Sequence, residues 1–452
     1  MAIMNNFTSG GAPTDELTAT PAEVMAGYKF LGAGSDDEQV GTLALTGNAV
    51  VNHVLQGETF YSTNPKTKLT GTMTVNSVLS FSAQVVSGRQ ILCKWQNPTT
   101  ANGKPYSGVC INYSTSGNPG TGGTRLYTGV GSSSASGANS QVYLNLPNLS
   151  TTYFLSCYSY VNINNGTENK YGTIFNTSLT TQGTITVNFG ASRDYTVPAG
   201  YTLMDVFLAG GGSSGGRGYG SANSTKYAGN GGGGGYTKTQ RNISVAGGQV
   251  LKFTVGTRGE PIAGANVSDN LPAAYNNGGA STVARSGTIL SSAAGGNGWA
   301  GGSGGGVSGV QIGDSESGYN HYVGVGGSNG GNGGGTPALM GTPARPGGPG
   351  QGSTTGAWGN SANVRYGAGG GGGGNAGART SPADGGNGGA PGGGKGGMGY
   401  GYGTTGNPGT NASANTGAGG GGGGGSAGNR GSYGGGGAGG AGGTGFIIAT
   451  FH

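Results

Sequence analysis

Charged residues are scarce in this chain. Aspartate, glutamate, lysine and arginine make up 8% of its 452 residues, whereas about 25% is usual for a soluble protein. The surface must therefore be solvated mainly by backbone amides, hydroxyls and carboxamides. The basic side chains of the carboxy-terminal part stand singly among glycines. Because phosphate backbones are bound by clustered lysine and arginine, we expect no nucleic-acid partner.

Long apolar runs and metal-ligand patterns are also missing. No run approaches the ~18 apolar residues of a membrane-spanning helix. Residues 1–11 lack the basic and apolar regions of a signal peptide, so we predict neither a membrane span nor a secretory route. The three histidines, His53, His321 and His452, lie far apart. No zinc-ligand spacing occurs, and we predict no metal and no cofactor.

Cysteine is too rare for a disulfide scaffold. The three cysteines, Cys93, Cys110 and Cys157, fall in one segment, and an odd count at low density favours reduced thiols in an apolar core. The alternative is a bridge between Cys93 and Cys157, since these two could face each other across a β-sandwich.

Residues 20–74 contain an internal repeat with a period of 30 residues. Five identities in register relate its two copies, namely Val24 and Val54, Gly27 and Gly57, Phe30 and Phe60, Gly41 and Gly71, and Thr42 and Thr72. The first copy begins with a capping box, Thr20 to Glu23, that has proline at the first helical position. Each copy therefore predicts a short helical turn followed by a β-hairpin, in a first segment of residues 1–77. The pattern resembles small repeat modules in the fibre and tail proteins of bacteriophages.

Residues 78–182 change to short runs in which apolar residues alternate with polar ones. Four such strand faces are Ile91 with Cys93 and Trp95, Val109 with Ile111, Val142 with Leu144 and Leu146, and Tyr153 with Leu155 and Cys157. Short alternating strands separated by turn signals predict a β-sandwich. Trp95, with Leu149 and Tyr153, resembles the core tryptophan and tyrosine-corner region of a fibronectin type III domain, although the step from Leu149 to Tyr153 is shorter than usual. That resemblance implies a spacer or a weak binding module.

Residues 183–452 hold 91 of the 112 glycines, yet apolar strand-like runs punctuate them and the chain closes on one, Phe446–Phe451. Composition alone favours disorder, and the interleaved strands argue against it. The segment is similar to the glycine-rich carboxy-terminal domains of phage tail-fibre and adhesin proteins and to that of a few animal receptor kinases. The resemblance implies a β-sandwich or jelly-roll frame whose long loops form packed polyglycine II helices. Such helices have no internal hydrogen bonds, so their amides can bond to neighbouring chains when no side chain intervenes. A collagen-like Gly-X-Y period is absent.

The fold class predicted for the whole chain is therefore mainly β. It comprises a small amino-terminal repeat module, a fibronectin type III-like sandwich and a glycine-rich β-sandwich or jelly-roll with polyglycine II helices, divided at residues 1–77, 78–182 and 183–452.

Glycine runs also create motifs that imitate catalytic ones. The segments 211–215 and 301–305 both satisfy G-x-S-x-G, but no helix pattern follows either serine, as a nucleophile elbow requires. The near match to a phosphate-binding loop at 389–396 has glycine in place of the hydroxyl residue that holds magnesium. Carboxylates are too sparse to indicate a glycosidase pair. We predict no catalytic residue.

Aromatic residues within the glycine-rich segment are the candidate binding residues, because rigid rings on loops supply contact area at low entropic cost. The candidates are Tyr319, His321, Tyr322, Trp358, Tyr366, Tyr400 and Tyr402. Two alternatives stay open at this point. The rings could instead cover the glycine helices as packing, and His321 could bind a metal together with symmetry-related copies.

The resemblances together predict a non-enzymatic bacteriophage fibre protein that adheres to host cells by binding a surface glycan or protein. They imply a homotrimer located in the virion, attached to a baseplate, tail or capsid protein through residues 1–77 and bearing its host-binding part at the carboxy end. The alternatives are a head fibre that decorates the capsid, a secreted bacterial surface or matrix protein, and a glycan depolymerase.

Overall fold

The computed structural model is mainly β, which confirms the predicted fold class. It describes residues 17–33, 37–99, 106–163, 168–221, 228–266, 274–306, 326, 330–334, 344–359, 365–374, 382–401, 403–427 and 434–452. Within these ranges no helix is both long and apolar enough to cross a membrane.

The chain forms two compact units. The first unit comprises Met1–Gln84, Ile91–Leu144 and Thr152–Thr180, and the second comprises Val85–Gln90, Asn145–Thr151 and Thr181–His452. The division into three segments at 77 and 182 stays a prediction.

The two repeat copies each form a small antiparallel hairpin. The first pairs β1 (Lys29–Phe30) with β2 (Gln39–Val40), and the second pairs β3 (Thr59–Phe60) with β4 (Leu69–Thr70). The turn before each hairpin ends at a glycine with positive φ, +84° at Gly27 and +90° at Gly57, a conformation that glycine adopts without strain. In the first copy the Glu23 carboxylate accepts a hydrogen bond from the Thr20 amide at 2.8 Å, as the capping box predicts.

Eight strands of the described residues, which lie mostly in the first unit, form a β-sandwich. The strands are β5 (Ser80–Ser87), β6 (Gln90–Gln96), β7 (Gly108–Ser114), β8 (Thr124–Gly129), β9 (Asn139–Asn145), β10 (Thr152–Ile163), β11 (Glu168–Tyr171) and β12 (Phe175–Thr180). One sheet has the order β5-β6-β9, and the other has the order β11-β10-β7-β8 with β12 also paired to β10.

Most residues that the alternation pattern placed on inner faces lie in the core of this sandwich, whereas Val142 and Leu144 on β9 are half-buried. Ile91, Cys93 and Trp95 on β6 are at most 1% exposed, as are Leu155 and Cys157 on β10. The Trp95 indole donates to the Asn97 carboxamide oxygen at 2.9 Å, which satisfies its polar group inside the core.

All three cysteines are free and buried, so the alternative bridge between Cys93 and Cys157 is not formed. Burial raises the pKa of Cys93 to about 12. Burial also raises the pKa of Cys157, and the nearby Cys93 adds to that effect. The two sheets therefore bring these thiols close together while leaving them in the unreactive protonated form.

The second unit is framed by strands that alternate with glycine segments. The strands are β13 (Ile185–Phe189), β14 (Arg193–Thr196), β15 (Leu203–Ala209), β16 (Tyr219–Ser221), β17 (Thr237–Ser244), β18 (Val250–Thr254), β19 (Ala265–Asn266), β20 (Ser281–Arg285), β21 (Thr288–Ala293), β22 (Ser426–Ala427) and β23 (Phe446–Phe451), with one short helix, α1 (Ser353–Trp358), before β22.

Two four-stranded antiparallel sheets, β13-β23-β15-β17 and β14-β18-β20-β21, form the frame of this unit. The chain's last strand, β23, lies inside its sheet and pairs with both β13 and β15. The apolar core of the frame includes Phe189, which stacks on Phe253 with ring centroids 3.9 Å apart. The predicted closure of the glycine-rich segment by an ordered strand is confirmed.

The glycine segments are joined laterally by backbone hydrogen bonds that repeat every three residues. Segment 417–425 is fully buried and shows the pattern most completely. Its amides donate to three other segments in turn, namely 368–374 (from Gly419, Gly422 and Gly425), 213–216 (from Gly420 and Gly423) and 407–410 (from Gly421 and Gly424).

The carbonyls of segment 417–425 accept hydrogen bonds from three further segments with the same spacing. The donors lie in 229–235 (Gly229, Gly232 and Gly235), 394–400 (Gly394, Gly397 and Tyr400) and 437–443 (Gly437, Gly440 and Gly443). A helix with three residues per turn points successive amides in three directions, so six surrounding segments bond every amide from 419 to 425 and every carbonyl from 417 to 425. The hydrogen-bond period therefore supports the predicted polyglycine II helices.

We call segment 417–425 and its six hydrogen-bonded neighbours the glycine lattice. Glycine is required in this lattice because the segments lie too close together for side chains to fit between them. At each position from 419 to 424, a Cβ would overlap a backbone carbonyl of a neighbouring segment; at Gly422 the carbonyl is that of Gly229. Glycine loses more backbone entropy on folding than other residues. Hydrogen bonds between the amides and carbonyls of neighbouring segments offset this entropic cost. Side chains on the segments would hold them too far apart to form these bonds.

Candidate functional site

Three of the seven predicted binding residues lie in the described part of the chain. Trp358, Tyr366 and Tyr400 are each half-buried. Tyr319, His321, Tyr322 and Tyr402 lie outside the described residues. The metal site proposed as an alternative for His321 therefore falls outside them too.

The structure brings Trp358 and Tyr366 together on the outer face of sheet β13-β23-β15-β17. Strand alternation sends Met204, Val206 and Leu208 of β15 into the core and leaves Phe207 and Ala209 on the opposite face. The Tyr366 ring lies 5.4 Å from Phe207 and 4.6 Å from Phe446, between centroids, and Trp358 lies 6.2 Å from Phe207. Both candidate rings therefore contribute to packing while part of each stays accessible.

Arg241 on β17 holds helix α1, and with it Trp358, against this face. One guanidinium nitrogen donates to the carbonyl oxygens of Ala357 at 2.8 Å and Trp358 at 3.2 Å. The guanidinium carbon lies 5.8 Å from the centre of the Trp358 indole, within cation–π distance. A cation on the last carbonyls of a helix is favourable, so Arg241 fixes where α1 ends.

Asp205 on β15 forms an ion pair with Arg241. Its carboxylate accepts from Arg241 at 2.7 Å, from the Asn242 amide at 2.8 Å and from His452 Nε2 at 3.2 Å. Burial of Asp205, which is 8% exposed, raises the pKa of its carboxyl. The hydrogen bonds from Asn242, His452 and Arg241 outweigh that effect, so the pKa of Asp205 is lowered overall. The carboxylate is ionised at neutral pH, and its described partners engage both oxygens.

We call this arrangement the indole shelf: Trp358, Tyr366, Arg241, Asp205 and His452. It presents a half-exposed aromatic surface held by an ion pair, beside the exposed Thr186 and Asn188 of β13. Such a shelf can stack on a flat or apolar ligand face and offer hydroxyl and carboxamide groups beside it.

Tyr400 lies in a different place. Its hydroxyl accepts a hydrogen bond from the Asn407 carboxamide at 3.3 Å, and its amide donates to Gly425 at 3.1 Å within the glycine lattice. The structure therefore does not bring Tyr400 together with Trp358 and Tyr366. The binding role of all three residues stays a prediction.

The two serines of the G-x-S-x-G segments are fully buried. The Ser213 hydroxyl donates to the carbonyls of Gly233 and Gly298, and the Ser303 hydroxyl donates to the Pro349 carbonyl at 2.7 Å. Both hydroxyls thus serve the packing of the glycine segments. Over the described ranges, no group of three or more histidine, cysteine, aspartate or glutamate side chains gathers as a metal site would require.

The sequence patterns do not identify Arg241, Asp205 or His452 as candidate functional residues. The alternation of β15 carried a signal, since Asp205 falls on an outer position of this strand, while His452 directly follows β23. Nothing in the sequence indicated that Arg241 would meet a helix more than a hundred residues away.

In comparisons with known proteins, no family model and no curated protein sequence matches the chain.

Proposed function

We propose that this chain is a structural, non-enzymatic fibre protein of a bacteriophage particle. In this proposal it attaches the particle to its host by non-covalent binding of a surface glycan or protein. The glycine-rich unit carries the binding surface, and residues 1–77 attach the chain to a tail, baseplate or capsid protein.

The observation that carries the proposal is the glycine lattice. Its three-residue hydrogen-bond repeat makes a rigid body from a sequence with 8% charged residues. Because backbone hydrogen bonds hold the interior of the glycine-rich unit together, its few large side chains can lie at the surface. Binding residues commonly lie on segments that a rigid scaffold positions, and the indole shelf supplies such a surface.

The remaining parts of the proposal concern assembly. A homotrimer would present three copies of each surface, and linked copies raise weak single-site affinity by raising effective concentration. The exposed apolar side chains of the repeat module, among them Leu31, Val40 and Tyr61 at 51% to 55% exposure, supply surface that such an assembly or a virion partner would cover.

Immunogold electron microscopy tests the proposal. An antibody raised against the purified full chain is applied to phage particles whose genome encodes it. Labelling of a tail or head appendage is expected, and its position distinguishes a tail fibre from a head fibre. Particles that stay unlabelled while the antibody detects the free chain would contradict the virion location.

A further inference from the structure

A cleft in the first unit has the chemistry of a small-ligand site. It lies between the second repeat copy and the β-sandwich and has a volume of about 420 Å³. It is lined by residues 55–56, 73–75, 77 and 170–173. Ligand pockets typically measure ~300–1,000 Å³, so the cleft is large enough for one or two sugar rings. We call it the junction cleft.

Backbone and hydroxyl bonds set the walls of the junction cleft in place. Leu55 and Met73 form a parallel bridge, the Gln56 amide donates to the Met73 carbonyl at 2.8 Å, and the Thr173 amide donates to the Ser77 hydroxyl at 2.8 Å. These bonds tie both walls without any ligand. The cleft is therefore preformed, which lowers the entropic cost of binding.

Gly172 keeps one wall of the cleft open. Its amide donates to the Ser159 carbonyl at 2.9 Å. A Cβ at this position would overlap the Ser159 hydroxyl and lie 3.2 Å from the Ser77 backbone. A larger residue would therefore push the sandwich and the residues before it apart.

The lining combines an apolar floor with neutral polar groups. Leu55, Met73 and Val75 are half-buried, while Thr74 and Gln56 are exposed. The only charged side chain among the described lining residues is Lys170, whose Nζ lies 3.6 Å from Glu58 Oε1. A charged ligand would have to compete with that ion pair, so the cleft favours a neutral one.

The repeat provides a comparison that points to the same cleft. Gln56, Glu58 and Thr74 stand where the first copy, thirty residues earlier, has Ala26, Tyr28 and Ala44. Two of these three residues, Gln56 and Thr74, line the cleft, and the third, Glu58, pairs with the lining residue Lys170. The differences between the two copies therefore place polar groups at the cleft.

We propose that the junction cleft binds a neutral hexopyranose unit of a glycan. A pyranose has an apolar face of C–H groups and a rim of hydroxyls, which matches an apolar floor beside hydroxyl and carboxamide groups. Tyr171, 41% exposed at the edge of the cleft and packed edge-on against Tyr158 at 5.1 Å, supplies an additional aromatic surface. This site is separate from the indole shelf and does not depend on the proposed virion location.

Saturation-transfer NMR on the full chain tests the cleft, with glucose, galactose and N-acetylglucosamine as neutral probes and N-acetylneuraminic acid as the anionic probe. We expect transfer to at least one neutral sugar and a markedly weaker signal for the anionic one. Thr74→Trp, which fills the cleft from an exposed position, should weaken the affinity about tenfold or more. Gln56→Ala should weaken it by a smaller factor, and Tyr143→Ala, at an exposed aromatic residue on β9 outside the cleft lining, should leave it unchanged.

Thermal unfolding of each variant shows whether the first unit remains folded. Loss of saturation transfer in a folded Thr74→Trp chain, together with a weaker sugar affinity in Gln56→Ala, assigns sugar binding to the cleft. Transfer that survives Thr74→Trp but disappears in Trp358→Ala would overturn the junction cleft and assign sugar binding to the indole shelf. Absence of transfer to every neutral sugar, or equal transfer to the anionic one, would also overturn the proposal.

Discussion

Substitution of a single glycine in the centre of the lattice tests the packing directly. Gly422→Ala adds one methyl group where a Cβ would overlap the Gly229 carbonyl. The overlap is with backbone on both sides, so no side chain can move to relieve it. Segment 229–235 or segment 417–425 must shift, and neither can shift without disturbing its own hydrogen bonds.

The magnitude follows from the bonds at that position. The Gly422 amide donates to Gly371, its carbonyl accepts from Gly397, both at 2.9 Å, and the adjacent Gly229 amide donates to Gly423 at 2.8 Å. A net loss of about 1 kcal/mol for each of the three disturbed bonds, with about 1–3 kcal/mol for overpacking, gives a destabilisation of about 4–6 kcal/mol. That corresponds to a decrease in melting temperature on the order of 10 °C.

Gly356→Ala is the matched control in the same unit. Gly356 lies in helix α1 with no atom within 4 Å of an added Cβ, so alanine should be neutral or stabilise by up to about 1 kcal/mol. Urea denaturation of the full chain, followed by tryptophan fluorescence, measures both variants. If Gly422→Ala unfolds within about 1 kcal/mol of the control, close glycine packing does not hold this unit together and the reasoning is refuted.

Three further predictions concern the core and the indole shelf. Because the pKa of Asp205 is lowered in the folded protein, its contribution to stability is complete above the ordinary carboxyl pKa of about 3.9 and is lost as the pH falls through the lower folded value. In this pH range the free energy of unfolding of Asp205→Asn should depend less on pH than that of the wild type. An unchanged pH dependence would contradict the hydrogen-bond network of Asp205 with Arg241, Asn242 and His452. Phe207→Ala removes the ring beneath Trp358 and Tyr366 and should destabilise by about 3–5 kcal/mol in thermal unfolding, with a loss below 1 kcal/mol counting against a packed shelf. The Cys93 thiol, with its pKa raised to about 12 by burial, should react with a thiol reagent only after unfolding; rapid reaction of the native chain, followed by mass spectrometry, would show that the thiol is accessible.

Local patterns were sufficient to locate most strands. In β13 the alternation of Ile185, Val187 and Phe189 with polar residues predicted the strand that is observed, because a half-buried strand has a side-chain period of two. The capping box at Thr20 and the glycine at Gly27 likewise predicted how the first repeat turn begins and ends. These features depend on residues near one another in sequence.

The arrangement of the glycine segments was not predictable in the same way. A run such as 417–425 carries almost no side chains that could distinguish one neighbour from another. Its six partners come from positions between 213 and 443, and the sequence shows only that close packing is possible. The order of segments in the lattice depends on how the β-strands of the frame direct each loop.

The indole shelf shows a second limit. Sequence reasoning selected Trp358 and Tyr366 because aromatic residues among glycines can form contacts, and the structure places both against Phe207. The partners that position them, Arg241 and Asp205, belong to other strands and could be recognised only once the sheet order was known. Aromatic composition thus indicated candidate residues but not how they are held.

Competition for host adsorption tests the central claim most directly. Host cells are incubated with the purified full chain before phage that carry it are added, and the rate of adsorption is measured. The account predicts that the wild-type chain slows adsorption as its concentration rises and that a folded Trp358→Ala chain does so less effectively. An adsorption rate unaffected by saturating wild-type chain would contradict a role in host attachment.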